Sequence, residues 1–220
     1  MSRIARVVIP GCPHHIIQRG NRKQIVFFNN EDKKLYIQIL RKQAKQSGIS
    51  FWAYCLMDNH VHLIAVPKYE ESLARGIGEA HRRYSSLINI RNNWTGYLWQ
   101  GRFLSYPLDG KYLIAAVRYV ERNPVRACLV KNAEDYSWSS AKSHVFRTED
   151  SLLTDNYLLH EFPDWASFLK EAENEQDQIL IRKHGRTGRP LGDDRFIQLL
   201  EEKTGRFFGK KKPGRKKVNG

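Results

Sequence analysis

The chain is poor in cysteine. Three in 220 residues, Cys12, Cys55 and Cys128, are too few and too scattered for a disulfide frame or a zinc knuckle. A reduced, cytosolic setting is expected. Long apolar runs are missing too. None approaches the ~18 residues a membrane-spanning helix needs, and a mean hydropathy of −0.59 excludes an integral membrane protein. The opening Met1-Ser2-Arg3-Ile4-Ala5-Arg6 leads into strand-like residues and a Pro-Gly without an apolar h-region or small-residue cleavage site, so no secretory signal is expected. There is no internal repeat or long low-complexity tract. The length suits one domain with an extension, or two small domains.

Acidic residues are in short supply. Thirty-seven Lys and Arg against 23 Asp and Glu leave +14 and an isoelectric point near 9.8, with 11% aromatics. That balance fits a polyanionic partner, nucleic acid before an anionic membrane surface. The charge is uneven. Residues 182–220 hold thirteen basic and four acidic side chains, nine of the fourteen net charges. The closing stretch, Gly209-Lys210-Lys211-Lys212-Pro213-Gly214-Arg215-Lys216-Lys217, is expected to be disordered when alone.

The front of the chain alternates strand and helix patterns. His14 to Arg19 reads as a strand closed by Gly20-Asn21. Asn30 is placed to cap a helix running to Ser47 and stopped by Gly48. Phe51–Met57 and Val61–Val66 are apolar runs of strand length around the hairpin turn Asp58-Asn59, with Pro67 ending the second. Glu70 to Arg91 reads as helix, Asn92 to Gly101 as irregular and aromatic, and Phe103 to Tyr106 as a last strand. Asp109 caps a helix from Lys111 to about Arg122 that must end near Asn123, because Pro124 follows. The order β-α-β-β-α-β matches an α+β, ferredoxin-like (split βαβ) antiparallel sheet with helices on one face. Beyond Val130 the pattern shows short helices around Ser137–Val145, Trp165–Lys183 and Asp194–Thr204, a helical, basic C-terminal extension.

Two stretches can carry chemistry. In Met57-Asp58-Asn59-His60-Val61-His62-Leu63-Ile64, residues i and i+2 of a strand share a face, so His60 and His62 present two imidazoles side by side. Such a pair suits a divalent cation if a third ligand arrives from elsewhere. The alternative is two partly exposed structural histidines. In Arg118-Tyr119-Val120-Glu121-Arg122-Asn123-Pro124-Val125, Tyr119 and Asn123 stand one helical turn apart on one face. Asn123 as a cap and Tyr119 as a core aromatic are the structural readings.

These residues carry a resemblance. Asn-His-Val-His-Leu at 59–63, Tyr119 and Asn-Pro-Val-Arg-Ala at 123–127 resemble the HUH single-tyrosine transposases, and within them the REP-associated tyrosine transposases of bacteria. The match also takes in Pro13-His14-His15, Gln18-Arg19-Gly20-Asn21 and Trp99-Gln100-Gly101-Arg102-Phe103, most of residues 10–130 in the right order. Asp58 and Cys128 stand where the family pattern leads one to expect Pro and Gly. The resemblance implies a catalytic domain over 1–130, a helical extension over 131–208 and a basic tail over 209–220. It implies Tyr119 as the nucleophile on a phosphodiester of single-stranded DNA, and His60, His62 and Asn123 as ligands of Mg²⁺ or Mn²⁺. The product would be a 5′-phosphotyrosine link with a free 3′-OH, rejoined without ATP. The substrate would be a REP-like palindromic hairpin with an unpaired flank, and the setting a bacterial cytoplasm, associated with the nucleoid. A monomer is favoured over a homodimer.

The chemistry is self-consistent. A tyrosine phenol of pKa about 10 is only ~10⁻³ ionised at pH 7, a deficit of roughly 4 kcal/mol, which a cation on the scissile phosphate can offset. Two imidazoles and an amide are a softer set than Mg²⁺ prefers, so Mn²⁺ is expected to serve at least as well. DNA contact is expected from Arg19 and Arg102 of the matched motifs, from Arg186 and Arg189 of a Gly-Arg-Pro-containing segment, and from Lys210, Lys211 and Lys212 on phosphates. Trp94, Tyr97, Trp99 and Phe103 are either base-stacking residues or core. Of His14 and His15 at most one faces the site. Glu121 reads as solvated, and His81, Arg82 and Arg83 as a solvated helix face. The rival functions are a water-using metal-dependent nuclease and a non-catalytic nucleic-acid-binding protein on the same fold.

Overall fold

Residues 5–154 and 158–209 are described by a computed structural model. Four strands form one antiparallel sheet: β1 (His14–Arg19), β2 (Ile49–Met57), β3 (His60–Pro67) and β4 (Leu104–Pro107), in the order β2-β3-β1-β4. Antiparallel pairing in this order, with one helix after β1 and another after β3, is the expected ferredoxin-like arrangement. The Asp58-Asn59 turn joins β2 to β3, with Met57 opposite His60. Asp58, in place of the expected Pro, pairs with Lys33 Nζ at 2.7 Å.

Helix α1 (Asn30–Ser47) starts one residue earlier than the pattern suggests. Asn29 is its cap, its side chain accepting from the Asp32 amide, and Gly48 ends it in the left-handed region at φ +64°, where a side chain would be strained. The second helix opens with a π-helical turn, Ala74–Gly78, and continues as α2 (Glu79–Asn92). Tyr36, Leu40 and Ala44 of α1 and Ala80, Tyr84 and Ile88 of α2 cover one sheet face, meeting Ile16, Leu56, Val61, Leu63 and Ala65.

The sequence pattern put helices on one face. The other face is covered as well, by a third helix of the core and by the extension folded beside it. Helix α3 (Gly110–Glu121), capped by Asp109, packs there on Ile17, Ala53, Cys55 and Ile64. The chain then steps at Arg122 into a one-turn helix, α4 (Asn123–Arg126). α3 thus ends within two residues of the expected Asn123, and Pro124 sits in the first turn of the next helix, where a missing N–H costs nothing. Next come α5 (Ala141–Phe146), α6 (Leu158–Glu161), α7 (Trp165–Lys170), α8 (Glu175–Thr187) and α9 (Asp194–Thr204). The helix expected over Trp165–Lys183 is two, because Asn174 caps α8 by accepting from the amides of Gln176 and Asp177. Gly185 lets α8 approach β1: a Cβ there would come within 2.6 Å of Ile17 Cδ1. Cys128, where a Gly was expected, has a left-handed φ of +55°.

Glu121 corrects the sequence reading most clearly. It is fully buried, not solvated. Its Oε1 accepts from the Ser140 hydroxyl at 2.5 Å and from His144 Nδ1 at 2.6 Å, and its Oε2 from Trp165 Nε1 at 2.7 Å. One carboxylate thus ties the end of α3 to the segments around α5 and α7. Glu121→Ala would strand His144 Nδ1 and Trp165 Nε1, while the Ser140 hydroxyl keeps the Tyr54 carbonyl at 3.3 Å, and at about 1–3 kcal/mol for each stranded donor the fold is expected to lose roughly 2–5 kcal/mol. A urea titration monitored by tryptophan fluorescence measures this, and Glu121→Gln, which keeps one carbonyl oxygen, is expected to lose less.

Candidate active site on the second sheet face

Alternation along β3 sends Val61 and Leu63 into the α1–α2 core and His60 and His62 to the opposite face. There His60 lies across from Arg19 and His62 across from Ile17. The two rings stand 5.1 Å apart, nearly perpendicular. Helix α3 lays Tyr119 over them, its ring 5.8 Å from that of His62 and 6.2 Å from that of His15. From α4, the Arg126 guanidinium sits 3.9 Å above the Tyr119 ring. It donates to the Tyr119 carbonyl at 2.5 Å and to Glu173 at 2.9 Å.

The site keeps its imidazoles neutral. Burial, then the Arg19 charge, pushes His60 down to about 4, and burial together with His15, His60, Arg19 and Arg126 holds His62 well below the usual histidine range. Neutral imidazoles are the ligand form. His60 Nδ1 meets Asn59 Oδ1 at 2.6 Å and His62 Nδ1 meets His15 Nε2 at 2.8 Å, while neither Nε2 bonds any described residue. Asn123 stands one turn beyond Tyr119, its Nδ2 enclosed without a partner. A flip of the amide would turn its oxygen to the same spot. Among the described residues no three His, Cys, Asp or Glu side chains gather as a metal site. A cation on His60 and His62 therefore needs a donor of another type, and the unsatisfied Asn123 amide fits.

The arginines sort into two groups. Arg19, Arg102 and Arg186 line one cleft of about 180 Å³ along β1, with Gln18, Gln100 and Leu104. Arg189 is engaged by the chain itself, donating to the carbonyls of Phe208 and Gly209 at 2.6 Å. Lys210, Lys211 and Lys212 lie outside the described residues. The aromatics divide as well: Trp99 and Phe103 are core, whereas Tyr97 is 84% and Trp94 47% exposed. His81 is not on a solvated face. It is buried and stacked on Tyr36, and only Arg82 and Arg83 are outward, paired with Glu79. Of the first-strand histidines His15 faces the site, while His14 takes the Ile9 amide on its Nε2 and sits by the Cys12 carbonyl.

Two residues of this cluster escaped the sequence reading and a third was left open. Arg126 lay within the matched Asn-Pro-Val-Arg-Ala segment, which marked it without a role. His15 was one of two candidates. Tyr106 gave no signal, since its place depends on the register of β4 against β1.

Residues 9–123, over half of the chain, match the family model described as IS200-like transposase. The solved structure of a REP-associated tyrosine transposase bound to a REP hairpin is similar, with a TM-score of 0.54 at 19% identity over 71% of this chain and 93% of that one. A putative transposase from Deinococcus radiodurans aligns with a TM-score of 0.38 at 22% identity over 56% of this chain and 97% of that one. No functionally curated protein matches the chain.

Burial of neutral histidines has a cost in acid. His14 and His60 are pushed down to about 4, His15 and His81 to about 3, each mainly by burial. Below pH 6.5 the unfolded chain takes up protons that the folded one refuses, so stability is full above pH 6.5 and falls as pH drops toward 4. At up to ~1.4 kcal/mol per pH unit for each histidine, the metal-free protein is expected to lose most of its stability by about pH 5. Urea midpoints measured between pH 7.5 and pH 5 check this.

Proposed function

The chain belongs to the IS200-like transposase family, and from that premise we propose that it cuts and rejoins single-stranded DNA at palindromic hairpin repeats through a covalent 5′-phosphotyrosine, with Tyr119 as nucleophile. The observation that carries this reading is the placement of Tyr119 over the His62 imidazole and beneath the Arg126 guanidinium. His60 and His62 would hold a divalent cation through their bare Nε2 atoms, and Asn123 through its amide. When bound, Mg²⁺ or Mn²⁺ supplies charge stabilisation and orientation at the scissile phosphate.

The chain's own residues do the rest. The Tyr119 oxygen attacks phosphorus, the O–P bond forms, the P–O3′ bond breaks, and the phenol proton ends on the departing 3′ oxygen. Arg126 holds the Tyr119 ring in place, since a cation over an aromatic face is worth about 0.5–2 kcal/mol. The cleft of Arg19, Arg102 and Arg186 lies along β1, where Arg19 is across from His60, and suits a DNA backbone, with the basic tail adding phosphate contacts. The proposed site is monomeric, one chain supplying every side chain named. The REP-associated relative, solved with its hairpin, supports the same class of substrate.

The decisive experiment is covalent trapping. Purified protein is mixed with end-labelled single-stranded DNA carrying an imperfect hairpin and an unpaired flank, with Mn²⁺ or Mg²⁺, and run on a denaturing gel. A labelled band at the summed mass is expected, lost in Tyr119→Phe, in His62→Ala and with EDTA. Free cleavage persisting in Tyr119→Phe would mean a water-using nuclease, and a native-gel shift without cleavage a binding protein. Arg126→Ala is expected to lower the rate of adduct formation by about tenfold, the kinetic equivalent of ~1.4 kcal/mol. Arg19→Ala and Arg186→Ala are each expected to weaken binding at every sequence and reduce the slope of log K against log salt by about 1, as fluorescence anisotropy across a salt series would show.

A further inference from the structure

A line of hydrogen bonds crosses three strands and ends on a helix. His62 on β3 meets His15 on β1, Nδ1 to Nε2, at 2.8 Å. His15 Nδ1 meets the Tyr106 hydroxyl on β4 at 2.7 Å, and that hydroxyl donates to the Ile181 carbonyl of α8 at 3.0 Å. The register builds this line. Tyr106 is directly opposite His15, and His62, opposite Ile17, is the diagonal neighbour of His15, within reach of long side chains. All three side chains are buried, so water does not compete.

The last acceptor sets every proton in the line. A carbonyl has none to give, so the Tyr106 hydrogen points at Ile181 and its oxygen faces His15 as an acceptor. His15 Nδ1 must then carry hydrogen. A neutral His15 keeps its lone pair on Nε2, and His62 donates to it from Nδ1. We propose that His15 and Tyr106 are positioning residues that set the tautomer of His62, leaving its Nε2 lone pair bare. The proposal rests on the reading of His62 as a metal ligand. It goes further by naming what aims that ligand and keeps its proton on the far side.

The neighbouring ligand is oriented by a shorter version of the same logic. Asn59 Nδ2 donates to the Lys23 carbonyl at 3.2 Å, which turns Asn59 Oδ1 toward His60 Nδ1 at 2.6 Å. His60 therefore also carries its hydrogen on Nδ1. Two separate lines, each ending on a backbone carbonyl, leave the two Nε2 atoms as the bare positions of the pair. Reversal of the long line would put a proton on His62 Nε2 and block it.

Long-range ¹H–¹⁵N correlation spectra of the metal-free protein report which ring nitrogen is protonated. The proton of His62 is expected on Nδ1; finding it on Nε2 would overturn the proposal. Tyr106→Phe keeps the ring and removes the acceptor for His15. It is expected to shift His62 toward the Nε2-protonated form and to weaken Mn²⁺ binding about 10–100-fold, as outer ligand partners do, read by electron paramagnetic resonance titration. His15→Gln, which offers a carbonyl oxygen to His62 Nδ1, is expected to bind Mn²⁺ more tightly than His15→Leu, with thermal melting showing that each variant is folded. An unchanged tautomer and unchanged Mn²⁺ affinity in Tyr106→Phe, or equal affinities in the two His15 variants, would sink the positioning role. A wild-type protein with the expected tautomer that binds no Mn²⁺ would instead remove the metal reading and leave the tautomer assignment standing.

Discussion

One buried carboxylate holds the geometry together. Glu121 is the last residue of α3, two positions beyond Tyr119, and its two oxygens accept from Ser140, His144 and Trp165. A carboxyl group taken fully out of water is tolerated only when it is hydrogen-bonded. Each of these donors belongs to the segments that follow the strand-and-helix core. The extension therefore does more than add positive charge. It closes the second sheet face and fixes the helix that carries the proposed nucleophile. Through Glu121 the end of α3, two residues from Tyr119, is tied to the segments around α5 and α7.

The sheet works as a plate with unlike sides. One face buries an ordinary aromatic and aliphatic core under α1 and α2, with Tyr36, Tyr84 and Trp99 in mutual contact. The other carries His15, His60, His62 and Tyr119 among the side chains of α3 and α8. The arginines near this cluster have two consequences at once. Arg19 and Arg126 disfavour protonation of the imidazoles, and the same positive field suits an incoming phosphate. Neutral imidazoles with positive charge around them suit an incoming polyanion.

Much of this was legible beforehand. Strands, turn and helices of the first 122 residues followed from periodicity and caps, with ends displaced by up to four residues, because local signals such as Gly48 and Asp109 act through their own backbone neighbours. The pairing of His60 with His62 followed from strand alternation alone. Other features were out of reach for physical reasons. Glu121 and His81 are polar residues whose burial is paid for by partners 15 or more positions away in sequence, so hydropathy assigns them to solvent. Trp99 and Phe103 differ from Trp94 and Tyr97 only in which way an irregular loop turns. Arg189 reads as a phosphate contact by charge, yet its guanidinium is occupied by the chain's own carbonyls.

By itself the sequence determined the α+β class, the shared face of His60 and His62, the spacing of Tyr119 and Asn123 and the surplus of positive charge, since each depends only on local periodicity or composition. Tertiary structure alone decided that both sheet faces are covered, that Arg126 lies over the Tyr119 ring, that Arg19, Arg102 and Arg186 share a cleft, and that His62 is joined through His15 and Tyr106 to a carbonyl of α8. Each of these relations joins residues from different elements. Their meeting is set by strand register and by the close approach of α8 that Gly185 permits, and neither is encoded in any one stretch of the chain.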